Sequence, residues 1–149
     1  VYRMSLDDIE NRIIRRIPGV LGERVIFGAQ GKKVLLQGKK SIHMLYLDDF
    51  ESYQRFQKGD VVEIYLPKEG SELTFAKYFG PNEEHVLFLE NSQLKVVELD
   101  SRDTPNVYSL KSEVSAVTDV LVETNAVVVT LKDNSLFEFR FPIRRATLF

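Results

Sequence analysis

VLFLENSQLKVVEL (residues 86–99) and VVTLKDNSLFEFRF (residues 128–141) decide the expected fold, because they repeat one pattern at an offset of 42 residues. Each segment has an apolar run, a short polar turn and a second run in which apolar and charged residues alternate. Alternation with period two on either side of turn residues is typical of an antiparallel hairpin. The same offset taken backwards from Val86 reaches Met44, where MLYLDD parallels VLFLEN. We therefore predict hairpin units that recur along the chain.

Short runs rich in Val, Leu, Ile, Phe and Tyr continue this pattern from residue 23 to residue 141, separated by breaks such as GAQG, PKEG, GPNEE and KDN. Many short strands with frequent turns indicate an all-β architecture. A period of about 40–45 residues is the length of one four-stranded propeller blade. In these strand–turn–strand units, over about residues 40–141, the chain resembles β-propeller blades of the WD-repeat and quinoprotein-like type, although it lacks Trp and therefore the Trp-Asp dipeptide.

The resemblance implies antiparallel blades stacked around an axis, each covering the apolar faces of its neighbours. A propeller closes with about four blades or more, and 149 residues hold fewer than four units of 42. Three accounts stay open: a piece of a longer propeller, as the start at Val1 with VYRM also suggests, protomers that complete one another, or a β-sandwich or barrel with one helix. In each account we expect a single domain over residues 1–149, with its β body at about 23–141.

The segment SLDDIENRIIRRIPG (residues 5–19) carries the signals of one N-terminal α-helix. Ser5 is a good N-cap residue, and acidic residues follow it where the helix dipole favours them. Isoleucines and a leucine recur at helical spacing, and a Pro-Gly pair ends the pattern. We predict a helix over about residues 5–17 that packs its apolar stripe on the β body.

Composition excludes several classes of function. Hydrophobic residues make up 44% of the chain, as expected for a folded protein. The chain has no cysteine, which excludes disulfides, thiolate metal sites and thiol catalysis. His43 and His85 stand without a partner at metal-ligand spacing, and no apolar run reaches the roughly 20 residues of a membrane helix. We expect a cytoplasmic, intracellular protein without a metal, a cofactor or a membrane span.

The segment FGAQGKK (residues 27–33) is the one that most resembles a ligand site. It fails as a Walker phosphate loop, because Lys33 stands where Ser or Thr would hold magnesium and Ile26 stands where the first glycine is needed. It resembles the G-x-x-G loop of the KH family. In that family the loop joins two helices and clamps the nucleic-acid backbone. Here both flanks have the pattern of strands, so we predict a hairpin turn instead.

Basic residues suggest a second kind of function, nucleic-acid binding. The whole chain is nearly balanced, with 20 basic and 22 acidic side chains and a net charge of −2, which is unlike most nucleic-acid-binding domains. A local patch could still form, although charges at strand ends more commonly maintain solubility and block edge pairing. The residues of this candidate patch are Arg12, Arg15, Arg16, Lys32, Lys33, Lys39, Lys40, Arg140, Arg144 and Arg145.

Catalytic patterns are weaker still. Asp48 with Asp49, and Glu83 with Glu84 beside His85, place ionisable groups together, but both sets fall in turn-like breaks where acidic residues serve local purposes. The common hydrolase and metalloprotease motifs do not occur. We therefore assign no catalytic residue and predict that the protein is not an enzyme.

The aromatic residues Phe137, Phe139 and Phe141 alternate with Glu138 and Arg140, so one face of the last strand is aromatic. This face belongs either to the core or to a docking surface for another subunit. Our leading hypothesis is a non-catalytic protein-interaction or assembly module, propeller-like in its units, that also forms homo-oligomers. The alternative is a nucleic-acid-binding domain that uses the basic residues, and a small-ligand β-barrel is a third interpretation.

Overall fold

The computed structural model describes the backbone of residues 2–4 and 14–16 and, in full, residues 22–51, 54–80, 83–99, 105–110, 116–123 and 126–140. This described part is all-β, as predicted. Its strands pair antiparallel, it contains no helix, and none of its sheets closes into a barrel. In the same ranges there is no helix with the length and hydropathy needed to cross a membrane.

Two short strands, β1 (Tyr2–Met4) and β2 (Ile14–Arg16), form an antiparallel pair near the start of the chain. The helix predicted over about residues 5–17 is therefore wrong for residues 14–16, and the rest of that prediction lies outside the described residues. Isoleucine explains the difference, because a β-branched side chain loses rotamer freedom in a helix and favours an extended backbone. Ile14 is the isoleucine of this strand, and its conformational preference favours an extended backbone.

The first sheet contains four strands in sequence order, with a small hairpin inserted before the last of them. Its strands and the inserted hairpin are β3 (Arg24–Phe27), β4 (Lys33–Gln37), β5 (Ile42–Tyr46), the hairpin β6 (Phe50–Glu51) and β7 (Arg55–Phe56), and finally β8 (Val61–Tyr65).

The second and third sheets follow the same plan, in which each strand lies beside its neighbour in the sequence. The second sheet has four strands, β9 (Leu73–Phe79), β10 (His85–Glu90), β11 (Gln93–Glu98) and β12 (Val107–Ser109). The third sheet has three strands among the described residues, β13 (Val117–Val122), β14 (Ala126–Leu131) and β15 (Leu136–Arg140).

The second sheet lies between the other two and is buried on both faces. Along β10, Val86 and Phe88 pack into the cluster shared with the first sheet, and Leu87 and Leu89 pack into the cluster shared with the third. A strand covered on both faces needs no polar alternation. This is why the sequence VLFL runs without a polar residue at the centre of the stack.

The two ends of the stack differ. On the outer face of the first sheet, Val34, Leu36 and Leu45 form a smaller buried cluster. On the outer face of the third sheet, Leu121 is 56% exposed and Leu136 is 68% exposed. Val25 and Phe27 pair with Leu36 and Val34 on the outer face of the first sheet and are 53% and 67% exposed. Both ends of the stack therefore present apolar side chains to solvent, and the first sheet has the buried cluster in addition.

The predicted hairpins are confirmed, because β10 pairs with β11 and β14 pairs with β15. Val97 on β11 and Phe139 on β15 occupy equivalent positions, each facing the sheet before its own, and they are separated by the predicted 42 residues. On the strands before them, the equivalent residues are Val86 and Val127, which are separated by 41 residues. The difference arises in the turns: residues 91 and 92 make a two-residue turn with positive φ, and residues 132–134 make a turn one residue longer.

The third occurrence of the sequence pattern, at Met44, does not lie on an equivalent strand. Met44 lies on β5, the third strand of the first sheet, whereas Val86 lies on β10, the second strand of the second sheet. The similarity of MLYLDD and VLFLEN reflects the common composition of buried strands followed by turns. The 42-residue relation therefore applies to the second and third sheets and not to the first.

Candidate interaction surface

The segment FGAQGKK forms the turn of the hairpin that joins β3 to β4, as predicted. The Gly28 N–H donates to the Lys33 carbonyl oxygen at 3.0 Å, and the Gly31 N–H donates to the Gly28 carbonyl oxygen at 2.9 Å. Gly31 has a φ of 68°, a conformation that a residue with a side chain rarely adopts. The backbone of the turn therefore favours glycine at this position.

The anion that this turn holds belongs to the chain itself. Glu83, in the connection between β9 and β10, accepts a hydrogen bond from the Ala29 N–H through its carboxylate. Lys33 Nζ donates to the Glu83 carbonyl oxygen at 2.9 Å and lies 3.7 Å from the carboxylate oxygen Oε2. The groups that resemble a phosphate loop thus tie the first sheet to the second.

Lys33 is placed for this structural contact. Its Nζ lies 5.2 Å from the ring centroid of Tyr78 and 5.8 Å from that of Phe50, within the range of cation–π attraction. Burial lowers the pKa of Lys33, and the nearby Glu83 carboxylate opposes that shift. Sequence analysis did not identify Glu83 as the partner, because the two residues are 50 positions apart.

We expect Gly28→Ala to destabilise the fold by about 1 kcal/mol, the typical net worth of a hydrogen bond. A Cβ at Gly28 would lie 2.7 Å from Glu83 Oε2, so the carboxylate would have to leave the Ala29 N–H. Urea unfolding followed by circular dichroism measures the change. The control introduces Gly28→Ala into a Glu83→Ala variant, where it should lower the free energy of unfolding much less. Equal losses with and without Glu83 would contradict the assigned contact.

The structure does not bring the described lysines of the candidate basic patch together. Lys32 and Lys33 lie at the start of β4, and Lys39 and Lys40 lie just after its end. A five-residue strand separates the two pairs by about 16 Å. Lys40 Nζ donates to the Ser71 carbonyl oxygen at 2.7 Å.

The arginines of the candidate patch have different placements. Arg140 Nε lies 2.8 Å from Glu138 Oε1, and its side chain is 78% exposed. Arg15 and Arg16 lie on β2, where only the backbone is described. Arg12, Arg144 and Arg145 lie outside the described residues, as does Phe141. The described part of the patch therefore consists of separate basic residues, two of which have acidic partners.

The acidic residues Asp48 and Asp49 each accept a hydrogen bond from a backbone N–H. Asp48 Oδ1 accepts a hydrogen bond from the Asp49 N–H at 2.9 Å, and Asp49 Oδ1 accepts one from the Lys58 N–H at 2.9 Å. The first bond is of the local side-chain-to-backbone kind that favours aspartate in turns, and the second joins residues nine positions apart, across the β6–β7 hairpin. Within the described ranges, no group of three His, Cys, Asp or Glu side chains is arranged to hold a metal ion.

A cleft of about 370 Å³ opens where the first strands of the three sheets approach one another. Phe27 and Ala29 line it from the first sheet, Lys77 and Glu83 from the second, and Glu123 from the end of β13. Its walls carry apolar groups together with charges of both signs.

The aromatic residues of β15 face the second sheet. Phe139 pairs with Val127, is half-buried and packs on the cluster between the two sheets. Phe137 pairs with Val129 on the same face, and its position on the edge strand leaves it 43% exposed. Of the aromatic face proposed from the sequence as a docking surface, Phe139 therefore packs against the second sheet and Phe137 stays partly accessible.

The opposite face of the third sheet is the exposed one. Leu121 and Leu136 are exposed, Val128 between them is half-buried, and Asp119 and Glu138 stand beside them. The register places these five residues on one face, since Leu121 and Glu138 both pair with Val128. We call them the outer face of the third sheet. Sequence analysis missed this face, although the alternation along β15 already separates Leu136 from the phenylalanines.

Within the part of the chain that the structure describes, the third sheet also has an open edge at β15. In the second sheet, β12 pairs with Lys95, Val96 and Val97 of β11. The counterparts of these residues on β15, at the offset of 42, are Phe137, Glu138 and Phe139. Among the described residues no strand pairs with that edge of β15. An unpaired edge offers a row of backbone donors and acceptors to another strand.

The sequence matches no protein family, and a search of curated proteins finds no significant match.

Proposed function

We propose that this chain is a non-catalytic interaction module, propeller-like in its stacked sheets, that binds protein and self-associates through its third sheet. The observation that carries the proposal is the contrast between two corresponding leucines. Leu94 of β11 is 0% exposed because the third sheet covers it, and its counterpart Leu136 of β15 is 68% exposed. A partner on the outer face of the third sheet would give Leu136 the environment that Leu94 already has.

The composition of this face supports reversible association. In the second sheet, the corresponding face is a continuous apolar surface that includes Leu87, Leu94 and Val96. On the third sheet, Leu121, Val128 and Leu136 are interspersed with Asp119 and Glu138. An interface that forms and dissociates is about as polar as the rest of the surface, unlike a permanent core. A folded chain can therefore expose this face without becoming insoluble.

The non-catalytic part of the proposal has its own support. Three of the carboxylates singled out in the sequence hold the fold by hydrogen bonds: Asp48 to the Asp49 N–H, Asp49 to the Lys58 N–H, and Glu83 in the contact with Ala29 and Lys33. The described lysines of the candidate basic patch lie apart, which does not favour a surface for nucleic acid.

We expect Leu136→Asp to weaken self-association at least about tenfold, since burying an unpaired carboxylate costs more than 1.4 kcal/mol. Sedimentation velocity over a range of protein concentrations measures the effect. Leu66→Asp is the matched control, because Leu66 is a leucine of similar exposure, 55%, in the connection after β8. Equal behaviour of the two variants would contradict the assigned face, and a wild-type chain that stays monomeric throughout would contradict self-association.

A further inference from the structure

We propose that the partner at the third sheet is a second copy of this chain, and that the two β15 strands pair antiparallel about a two-fold axis at Phe139. This inference rests on the self-association part of the proposed function and adds a contact at the edge of the third sheet, distinct from the contact that would cover its outer face. Pairing of edge strands would extend the third sheet of each copy into one continuous sheet. The charge pattern of β15 selects this register, and two further observations on the described residues support pairing at this edge.

The first reason is the charge pattern of β15. With the axis at Phe139, antiparallel pairing places Glu138 of each copy opposite Arg140 of the other, so two ion pairs form across the edge. Opposite charges that face each other on neighbouring strands stabilise a sheet, and like charges destabilise it. An axis at Glu138 would instead place two glutamates opposite each other. An axis at Phe137 would place Glu138 opposite Leu136.

The second reason is the direction of the free backbone groups. Leu131 donates its N–H to the Ser135 carbonyl oxygen, which makes that pair a hydrogen-bonded one. Antiparallel pairs alternate between hydrogen-bonded and non-hydrogen-bonded positions. Phe137 and Phe139 therefore bond to β14, whereas Glu138 and Arg140 direct their N–H and carbonyl groups to the open edge. The same two residues that match in charge thus have backbone groups free to bond.

The third reason is the state of the charged side chains in one copy. Glu138 and Arg140 pair with each other along the same strand at 2.8 Å, and their side chains are 44% and 78% exposed. A contact this exposed contributes little to stability. Its two members can exchange partners across the axis at little cost, and each would keep an opposite charge beside it.

The test uses charge reversal in the full chain and sedimentation velocity. Glu138→Arg alone and Arg140→Glu alone should each weaken association about tenfold, because two favourable cross-strand pairs become repulsive. The double variant Glu138→Arg with Arg140→Glu should recover wild-type association to within about threefold, since it restores both pairs with reversed sign. Lys132→Glu, in the turn before β15, is the matched charge change outside the register and should have no effect.

Mixing the two single variants is the experiment that discriminates best between this register and its alternatives. A Glu138→Arg chain has two arginines and an Arg140→Glu chain two glutamates, so each associates poorly with itself and well with the other. Recovery on mixing supports the register, and absence of recovery overturns it. If Leu136→Asp weakens association while no charge variant has an effect, the edge pairing is wrong and the proposed function stands. A monomeric wild type contradicts both.

Discussion

Phe88→Ala is expected to lower the free energy of unfolding by about 3–5 kcal/mol, the range for removing a large aromatic side chain from a core. Phe88 is fully buried on β10, and its ring centroid lies 4.5 Å from that of Tyr65 on β8. On the neighbouring strand β9 it pairs with Ala76, whose small side chain leaves room for the ring. The substitution would leave a cavity in the contact between the first and second sheets.

Chemical unfolding at low protein concentration measures this effect without a contribution from association. Phe27→Ala is the control, because Phe27 is 67% exposed and its loss should change stability by less than about 0.5 kcal/mol. Phe88→Leu should cost about 1 kcal/mol, since it keeps most of the volume, and it remains measurable if the alanine variant does not fold. Similar costs for Phe88→Ala and Phe27→Ala would contradict the packing of the two sheets.

Local pattern was enough to predict the strands and their turns. The hairpin β10–β11 depends only on residues close together in the sequence, namely the apolar run at residues 86–89 and the turn residues Asn91 and Ser92. The same reasoning failed at Ile14, where helical spacing and β-branched character point to different structures. Spacing alone was a poor guide there because the structure pairs those residues with residues 2–4.

The candidate site depended on information that is not local. Leu94 and Leu136 occupy corresponding places in similar sequences, and only the stacking of the sheets makes one buried and the other exposed. The contact of Lys33 with Glu83 likewise crosses from one sheet to the next. The charge pattern Glu138–Phe139–Arg140 was visible in the sequence. This charge pattern could be interpreted only once the structure showed that β15 is the last described strand of its sheet and that Phe137 and Phe139 lie on the face toward the second sheet.

A second contact between the first two sheets is buried and charged. Glu90, at the end of β10, is 4% exposed, and its carboxylate pairs with the ammonium group of Lys95 on β11. The carboxylate also accepts hydrogen bonds from the Tyr65 hydroxyl at 2.8 Å and from the Lys68 N–H at 3.2 Å. Burial acts to raise the pKa of Glu90, but hydrogen bonds from Lys95, Tyr65 and Ser71 outweigh it and hold that pKa below its usual value.

Lys95→Met is therefore expected to lower the free energy of unfolding by about 3 kcal/mol near neutral pH, because it leaves a buried carboxylate without its cation. Methionine keeps most of the aliphatic length of lysine, so the loss should be mainly electrostatic. The double variant Glu90→Gln with Lys95→Met removes the stranded charge and keeps acceptors for Tyr65 and Lys68. It should be more stable than Lys95→Met alone.

The pH dependence separates this explanation from a loss of packing. A carboxyl group whose folded pKa is depressed contributes stability above its unfolded pKa, about 4.3, and loses it as the pH falls through the folded pKa. Wild type should therefore lose the Glu90 contribution in acid. Lys95→Met, which lacks the main cause of the depression, has less to lose, so the difference between the two chains should shrink below about pH 4. Unfolding titrations at pH 7 and pH 3.5 give the comparison, and a difference that stays constant would mean that the lysine acts through its aliphatic chain and not through its charge.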